Sequence, residues 1–456
     1  MSSLERRIRD IFGERCSFSL TERVAYSFDA TRQRAIPDCV VFPENADEVG
    51  ELFRVARESR IPVVPRGAGS GFSGGTVPVS GGVVVSFERM DRILDIDEVN
   101  LVARVEPGVV LGNLQSAVES MGLFYPPDPS SRDFCTIGGN IAECAGGPSG
   151  FKYGVTKDYV LALDNVLPSG EFLRTGVETV KGVVGYNLTS LIVGSEGTLT
   201  VVTGATLKLL PKPEHVETLL IGFRSTEEAC RGVNEIIRKK VVPRTIELID
   251  STAVECVREF SPVDIPDGAG AFLLIDVDGF ESDVKAQVRR VKEAVTSLPV
   301  VSLQVEEDPD GRESLWALRR AISPSLLKVN PTKINEDITV PRARLPEVMR
   351  RVRELSEETG IPIVNFGHAG DGNVHVNIMI DGDDPAQVKK AEEVLREIFA
   401  LTVSVGGTIS GEHGVGISKK PYIGMELSPR QIEVMKRLKR LFDPDNILNP
   451  HKIFPD

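Results

Sequence analysis

The stretch of sequence that decides the fold lies at residues 65–75 and reads PRGAGSGFSGG. It follows the β-branched run Ile61-Pro-Val-Val64, which predicts a strand. The glycines of the loop match the pattern G-x-G-x-x-G, and Glu88 lies about twenty residues further on. This combination of strand, loop and distant acidic residue outlines a dinucleotide-binding Rossmann motif.

The residues after this loop argue against a Rossmann fold. A Rossmann loop must open a helix whose N-terminus faces the pyrophosphate. Here residues 74–82 read GGTVPVSGG before the strand predicted at Val83–Phe87, so a helix of about three turns does not fit. The loop can still bind phosphate through a nest of backbone N–H groups, with Arg66, Ser70 and Ser73 as further donors. The alternative is that it is only a tight connection between strands.

Composition narrows the class of protein. The chain has 456 residues, which suits about two or three domains, and its net charge of −13 argues against nucleic acid as the main partner. Its six cysteines are scattered without a C-x-x-C pair, so we expect no zinc ribbon or iron–sulfur cluster within the chain. No run is apolar enough for a spanning helix or a signal peptide. We therefore expect a cytoplasmic protein that would reach a membrane only through a partner.

The pattern of predicted strands and helices changes near residues 211–215, PKPEH. Before this segment, short β-branched runs alternate with Gly-rich turns, and after it strands alternate with helices, as in Thr218–Phe223 and Thr226–Arg238. The Pro-rich segment therefore predicts a domain boundary. We expect a first domain over residues 1–212, a second over 213–420, and a C-terminal segment over 421–456 that returns to the first domain.

Two more Gly-rich segments follow the first loop. Residues 126–154 read PPDPSSRDFCTIGGNIAECAGGPSGFKYG, and residues 193–202 read VGSEGTLTVV and turn into a strand. Their small residues and hydroxyls would let a flat or phosphorylated ligand lie against backbone amides.

These segments, taken in order, resemble the FAD-binding domain of the vanillyl-alcohol oxidase / p-cresol methylhydroxylase superfamily. The resemblance covers residues 35–212 and implies an α+β, two-lobed FAD-binding domain whose first loop holds the pyrophosphate. Some members attach the flavin through a histidine in that loop, where this chain has Ser70, which implies non-covalent FAD. The residues that the resemblance places at the FAD are Pro65, Arg66, Gly67, Ala68, Gly69, Ser70, Gly71, Ser73, Gly74, Pro129, Ser130, Thr136, Gly138, Gly139, Asn140, Ala142, Gly146, Gly147, Gly154, Glu196, Gly197, Val202 and Asn449.

Two of the five histidines flank a tight turn in GHAGDGNVH, residues 367–375. A hairpin closed by this turn can bring His368 and His375 to the same end of a sheet, where two neutral imidazoles suit a divalent metal. Downstream, ISGEHGVG at residues 409–416 offers Glu412 as a third ligand and His413 as a base. The alternative is that the two histidines are unrelated polar residues beside a loop.

GHAGDGNVH, GGTISGEHGVG and DPDNILNPHKIF resemble the cap domain of FAD-linked D-2-hydroxyacid dehydrogenases. The resemblance implies a cap with an α+β fold and an antiparallel sheet. It makes His368, His375 and Glu412 the ligands of zinc, manganese or iron, and His413 the catalytic base. It also places Arg319 on the substrate carboxylate and Ser323 one helical turn further on, near the substrate.

One departure from that family bears on the substrate. The enzymes for 2-hydroxyglutarate have a lysine that grips substrate, and the corresponding place here is Asn335, with Lys333 two residues earlier. We therefore favour a small monoacid, glycolate or D-lactate, as the substrate that contacts Arg319, Ser323, Asn335 and His413. The alternatives are a D-2-hydroxyglutarate-type dehydrogenase and a non-catalytic flavin subunit of a larger oxidase complex.

The expected chemistry is metal-assisted oxidation of an alcohol. A metal lowers the pKa of the substrate hydroxyl, His413 takes the proton, and hydride passes from Cα to the flavin N5. Without cluster-forming cysteines, the chain would pass its electrons to a partner protein, a quinone, a soluble dye-like acceptor or oxygen. Family members use separate iron–sulfur or electron-transfer flavoprotein subunits, so the resemblance implies such a subunit as one candidate acceptor.

Overall fold

A computed structural model describes residues 3–258 and 265–455 of the chain. The chain forms two compact units. The first comprises Met1–Gly146, Gly154–Lys212 and Glu412–Asp456, and the second comprises Gly147–Tyr153 and Pro213–Gly411. The units thus change after Lys212 and after Gly411, whereas the sequence placed the domain changes after residues 212 and 420. Every helix in the described residues is too short or too polar to cross a membrane.

A four-stranded sheet opens the first unit. Its strands are β1 (Cys16–Ser17), β2 (Cys39–Val41), β3 (Val63–Arg66) and β4 (Val83–Ser86), and the helices beside it are α1 (Ser3–Phe12), α2 (Leu20–Ala25) and α3 (Ala46–Ser59). The strand order is β1-β2-β4-β3, with β2, β4 and β3 parallel. Helix α3 supplies the crossover that parallel strands need between β2 and β3.

Helix α3 shows why this lobe forms where it does. The Asn45 side chain caps its first turn by accepting the Glu48 N–H. Apolar residues at helical spacing, among them Val49, Leu52 and Phe53, are buried in the core of the lobe. The helical spacing of apolar residues from Asp47 to Ser59 predicts this helix, and the structure extends it by one residue, to Ala46.

The second lobe of the first unit is an antiparallel sheet of order β5-β6-β10-β8-β9. Its strands are β5 (Ile93–Asp97), β6 (Val102–Val105), β8 (Val160–Val166), β9 (Phe172–Gly176) and β10 (Val201–Lys208), and β7 (Leu123–Phe124) pairs separately with β11 (Leu210–Pro211). The helices of this part of the unit are α4 (Leu111–Glu119), α5 (Ile137–Glu143), α7 (Leu188–Ile192), α14 (Ile423–Glu426) and α15 (Pro429–Phe442).

The second unit is built on a seven-stranded antiparallel sheet. Its strands are β12 (His215–Phe223), β13 (Thr245–Ile249), β14 (Ala271–Gly279), β15 (Val300–Glu306), β16 (Thr332–Thr339), β17 (Ile363–His368) and β18 (Asn373–Ile380), and its helices are α6 (Gly150–Tyr153), α8 (Thr226–Arg238), α9 (Ser251–Val257), α10 (Glu281–Val295), α11 (Pro309–Ser325), α12 (Leu345–Thr359) and α13 (Pro385–Ser404). The order is β15-β12-β14-β13-β17-β18-β16. The expected α+β class with an antiparallel sheet in the second unit is confirmed.

Helices α9 and α11 cover one face of this sheet and close a hydrophobic core over it. Leu315, Leu318 and Ile322 of α11 pack against Phe366 of β17 and Met379 of β18. Helices therefore cover this face of the sheet, and polar side chains on it are shielded from water.

The short segment Gly147–Tyr153 belongs to the second unit because of its polar contacts there. Lys152 pairs with Asp278 of β14, and the Tyr153 hydroxyl donates to the same carboxylate over 2.8 Å. Arg244 bonds the Ser149 hydroxyl over 3.2 Å. The buried Asp278 carboxylate thus holds this insertion against the sheet.

Candidate active site

The loop at residues 67–75 runs without a helix into the next strand, which confirms that it is not a Rossmann turn. Gly69 has a φ of 71°, which favours glycine. A Cβ at Gly67 would overlap the hydroxyl of Thr136, the residue that caps helix α5. Glycine at position 67 therefore lets the loop pack directly against the Thr136 side chain at the start of α5.

A cavity of about 290 Å³ opens beside this close approach. Its lining combines backbone of Gly-rich turns with two carboxylates, an amide and two phenyl rings. The lining residues are Gly67, Ala68, Phe87, Glu88, Asp91, Gly108, Val110, Asn113, Phe134 and Thr136. A cradle of exposed amides next to polar and aromatic groups suits a nucleotide cofactor.

The residues that the sequence placed at the FAD lie in the first unit, except Gly147, which begins the inserted segment of the second. Several of them are tied together by hydrogen bonds. Glu196 accepts the N–H groups of Val415 and Gly416 over 2.8 and 2.6 Å. Asn449 donates to the carbonyl oxygens of Gly75 and Glu196 over 3.0 and 2.9 Å. These contacts hold the first loop, the turn at residues 194–197 and the C-terminal segment around one region.

Arg66 and Ser73 have partners of their own inside the unit. Nη1 of Arg66 donates to the Phe28 carbonyl over 2.7 Å and to the Thr76 hydroxyl over 3.1 Å. The Ser73 hydroxyl donates to Glu143 over 3.4 Å. Both side chains therefore brace the loop from within.

The segment that carries Glu412 and His413 is docked in the first unit. The His413 ring stacks on Phe72 of the first loop, with the ring centroids 5.1 Å apart. A Cβ at Gly414 would overlap Glu143, and Glu196 lies beside it. Burial, together with the charge of Glu196, raises the pKa of the Glu143 carboxyl well above its usual range. A buried carboxyl therefore lies next to the residue that follows His413.

The two histidines of the hairpin meet as the sequence predicted. Strands β17 and β18 pair so that Phe366 lies opposite His375, and His368 ends β17 just before the turn. The Nε2 atoms of His368 and His375 are 3.4 Å apart, and both rings are buried. Two nitrogens bound to one tetrahedral zinc at about 2.0–2.1 Å are themselves about 3.3–3.4 Å apart. The spacing therefore fits two ligands of one metal ion.

The third metal ligand expected from the sequence is Glu412, which begins the last segment of the first unit. Glu412 directly follows Gly411, whose N–H donates to Asp337 over 2.8 Å. Asp337 pairs with His375 across β16 and β18. Two imidazoles and a carboxylate are a donor set that zinc, manganese and iron all accept.

Glu247 is a site residue that the sequence analysis missed. It is fully buried in β13, opposite His368 of β17. Its Oε1 lies 2.5 Å from Nδ1 of His368, and its Oε2 accepts Nε and Nη2 of Arg319 over 2.8 Å each. Burial alone would raise the pKa of the Glu247 carboxyl, but His368 and Arg319 lower it to about 2. The only local signal was an acidic residue in an otherwise apolar strand.

Polar side chains under helix α11 continue the site. Lys333 of β16 donates to Ser323 of α11 over 3.0 Å. Asn335 lies opposite Asn377, which donates to the backbone carbonyls of Val364 and His375. The Oδ1 atoms of both asparagines are buried, and no donor among the described residues bonds them. Asn377 is a second residue that the sequence analysis did not select, although strand alternation placed it on the face of His375.

Known proteins resemble this chain over nearly its whole length. Residues 37–176 match the family described as FAD binding domain, and residues 212–453 match the family described as FAD linked oxidases, C-terminal domain. The glycolate oxidase subunit GlcD of Bacillus subtilis is 43% identical over 95% of this chain and 92% of its own length. The D-lactate dehydrogenase of Archaeoglobus fulgidus is 38% identical over 94% of this chain and 95% of its own.

A solved structure of p-cresol methylhydroxylase with substrate bound has the same fold. It superposes with a TM-score of 0.80 over 99% of this chain and 96% of its own, at 16% identity.

Proposed function

The chain belongs to the family of FAD-linked oxidases, and from this premise we propose that it oxidises a small D-2-hydroxyacid, glycolate or D-lactate, to the 2-oxoacid. The names of its relatives, a glycolate oxidase subunit and a D-lactate dehydrogenase, support this substrate class. The observation that carries the proposal is the buried set His368, His375, Glu247 and Arg319, which joins metal-type donors to a carboxylate-binding cation.

FAD, when bound, supplies the hydride acceptor of the reaction. The backbone amides of residues 67–75 would hold its pyrophosphate, and the cavity beside Gly67 and Thr136 would take another part of it. Ser70 stands where some family members have a histidine, so we propose that the flavin is bound without a covalent link.

A divalent metal, when bound by His368, His375 and Glu412, supplies Lewis-acid activation of the substrate hydroxyl. Arg319 would bind the substrate carboxylate, because a guanidinium presents parallel N–H donors that match a carboxylate. His413, beside Phe72, would accept the hydroxyl proton. Ser323 and Asn335 would line the remainder of the substrate site.

One observation favours a diacid substrate as a second candidate. Lys333 reaches the Ser323 hydroxyl and shares a strand face with Asn335. A cation at this place could bind a second carboxylate, as in a D-2-hydroxyglutarate-type dehydrogenase. Lys333 is therefore near the predicted substrate residues Ser323 and Asn335. A substrate test should for this reason include 2-hydroxyglutarate.

The reduced flavin must pass its electrons to another molecule. We propose an iron–sulfur or electron-transfer flavoprotein subunit as the acceptor, since one relative is named as a subunit of glycolate oxidase. The protein would then be a cytoplasmic one that reaches a membrane only through that partner.

The test is anaerobic mixing of the FAD-containing protein with a panel of 2-hydroxyacids while flavin absorbance is followed. The panel holds glycolate, both lactates and both 2-hydroxyglutarates, each with and without a chelator. We expect bleaching by glycolate or D-lactate, and loss of bleaching with chelator. Bleaching by no member of the panel would contradict the proposal, and bleaching by D-2-hydroxyglutarate alone would favour the second candidate.

A further inference from the structure

Glu247 lies where three structural elements meet. It belongs to β13, which is paired on one side with β14 and on the other with β17, and its side chain points toward helix α11. Its exposure is 0%, so both carboxylate oxygens need partners within the protein. Oε1 is bonded to His368 and Oε2 to Arg319. One carboxylate therefore contacts both of the groups that the proposed function assigns to metal and substrate.

The contact with His368 engages one of its two ring nitrogens. Oε1 of Glu247 lies 2.5 Å from Nδ1, so Nδ1 faces a hydrogen-bond acceptor and Nε2 is left for another partner. In the neutral ring Nε2 then keeps its lone pair. Nε2 is also the atom that lies 3.4 Å from Nε2 of His375. The ring is thus set to coordinate through Nε2.

The bond to Arg319 determines the plane of the guanidinium. Oε2 accepts both Nε and Nη2, and the ring of Phe366 lies 4.6 Å from the guanidinium carbon. Because the guanidinium is planar, fixing two of its nitrogens also fixes the direction of Nη1. The remaining donors of Arg319 therefore point in one direction before any ligand arrives.

We infer that Glu247 is a positioning residue for the hydroxyacid site: it holds His368 as the Nδ1–H tautomer for metal coordination and at the same time orients Arg319 for the substrate carboxylate. The inference rests on the proposed function for the identity of the two ligands. The register explains how one residue does both, since Glu247 lies directly opposite His368 in the sheet while its side chain reaches α11. Outer-shell carboxylates of this kind strengthen metal binding by the histidine they contact.

The first test measures zinc affinity of the FAD-containing protein by competition with a chromogenic chelator. We expect Glu247→Gln to weaken zinc binding on the order of 10- to 100-fold, to raise KM for the hydroxyacid, and to leave FAD content unchanged. The matched control is Asp276→Asn. It alters a buried carboxylate that accepts from Trp316 of α11, the helix that also carries Arg319. The control should bind zinc as the wild type does. Equal zinc affinity in Glu247→Gln and wild type would overturn the inference.

The second test is read on the wild type and survives a folding failure of Glu247→Gln. With five histidines in the chain, ¹⁵N-histidine labelling and long-range proton–nitrogen spectra can report the tautomer of each ring, with His368→Gln to assign one signal. In metal-free wild type we expect a proton on Nδ1 of His368. A proton on Nε2 with Nδ1 bare would overturn the inference. A wild type that binds no zinc but shows the expected tautomer would instead contradict the metal in the proposed function.

Discussion

The guanidinium carbon of Arg319 lies 4.6 Å from the ring centre of Phe366, and Phe366 in turn lies 5.7 Å from the ring of His375. The guanidinium lies over the Phe366 ring, and the Phe366 and His375 rings meet at a tilt of 56°. A planar cation over an aromatic ring is a place where arginine and lysine are not equivalent, because an ammonium has no plane to lay against the ring.

We predict that Arg319→Lys lowers kcat/KM on the order of 100-fold, mainly through KM. Lysine keeps the charge but loses the paired N–H donors and the contact with Phe366. Steady-state kinetics with the best substrate of the panel measures the change. Arg320→Lys is the control, because Arg320 is exposed on the same helix and pairs with Glu313 at the surface. Equal losses in the two variants would contradict a substrate role for Arg319.

Removing the metal should separate flavin binding from catalysis. We predict that dialysis against a strong chelator abolishes flavin reduction by substrate and leaves the flavin bound. The expected reason is that His368, His375 and Glu412 are not among the residues that the sequence places at the FAD. Readdition of zinc, manganese or iron, one at a time, should restore reduction. Full activity after complete removal of metal would contradict the prediction.

Loss of the proposed base should spare the flavin. We predict that His413→Ala retains FAD but slows flavin reduction on the order of 10²–10⁴-fold, the usual contribution of a general base. Anaerobic stopped-flow absorbance at the flavin band gives the rate. His215→Ala is the control, since His215 lies at the start of β12 beside Glu217. Wild-type reduction rates in His413→Ala would rule out this base.

The close approach of the first loop to helix α5 makes a prediction about cofactor content. Gly67→Ala places a methyl group against the Thr136 hydroxyl, so the loop must move away from α5. We expect the purified variant to contain less FAD than wild type, measured by the ratio of flavin to protein absorbance. Gly424→Ala is the control, because a Cβ there meets no atom within 4 Å. A full complement of FAD in Gly67→Ala would show that the loop tolerates the displacement.

Asp250 predicts a pH dependence of stability. Its buried carboxyl caps α9 and accepts from Asn365, and burial raises its pKa from 3.8 to about 6. The folded state therefore binds the proton more tightly than the unfolded chain. As pH rises from about 4 to about 6, this group alone lowers the free energy of unfolding by roughly 3 kcal/mol.

Asp250→Asn should remove this pH dependence. We expect Tm of the variant, relative to wild type, to be higher at pH 7 than at pH 4.5. The control is Asp384→Asn at the exposed cap of α13, where hydrogen bonds to Ala386 lower the pKa. This control should show no such gain at pH 7. If the difference in Tm between Asp250→Asn and wild type were the same at pH 4.5 and pH 7, the raised pKa of Asp250 would be contradicted.

The local signals in the sequence were strong wherever caps and periodicity agreed. The helix over Thr226–Arg238 was predicted to the residue, and the structure shows Ser225 capping it. Pro429–Phe442 begins with a capping box at Ser428. The hairpin of His368 and His375 was also predictable, because a short turn fixes which residues lie opposite each other.

What the sequence did not reveal are contacts between distant segments. Glu247 and His368 are 121 residues apart, and no local pattern encodes which strands of an antiparallel sheet become neighbours. Strand alternation put Lys333 and Asn335 on one face but could not tell which of them reaches α11. The joining of Gly147–Tyr153 to the second unit depends on Asp278, more than a hundred residues away, and had no local signal either.

Leu448 has a consequence for the order in which the protein can mature during translation. It is fully buried in the core of the first lobe, forms a parallel bridge with Val63, and is followed by Asn449, which bonds Gly75. The ribosome releases these residues only after the entire second unit has been made. Although most of the first unit is synthesised first, its core cannot be completed until the C-terminal segment has emerged.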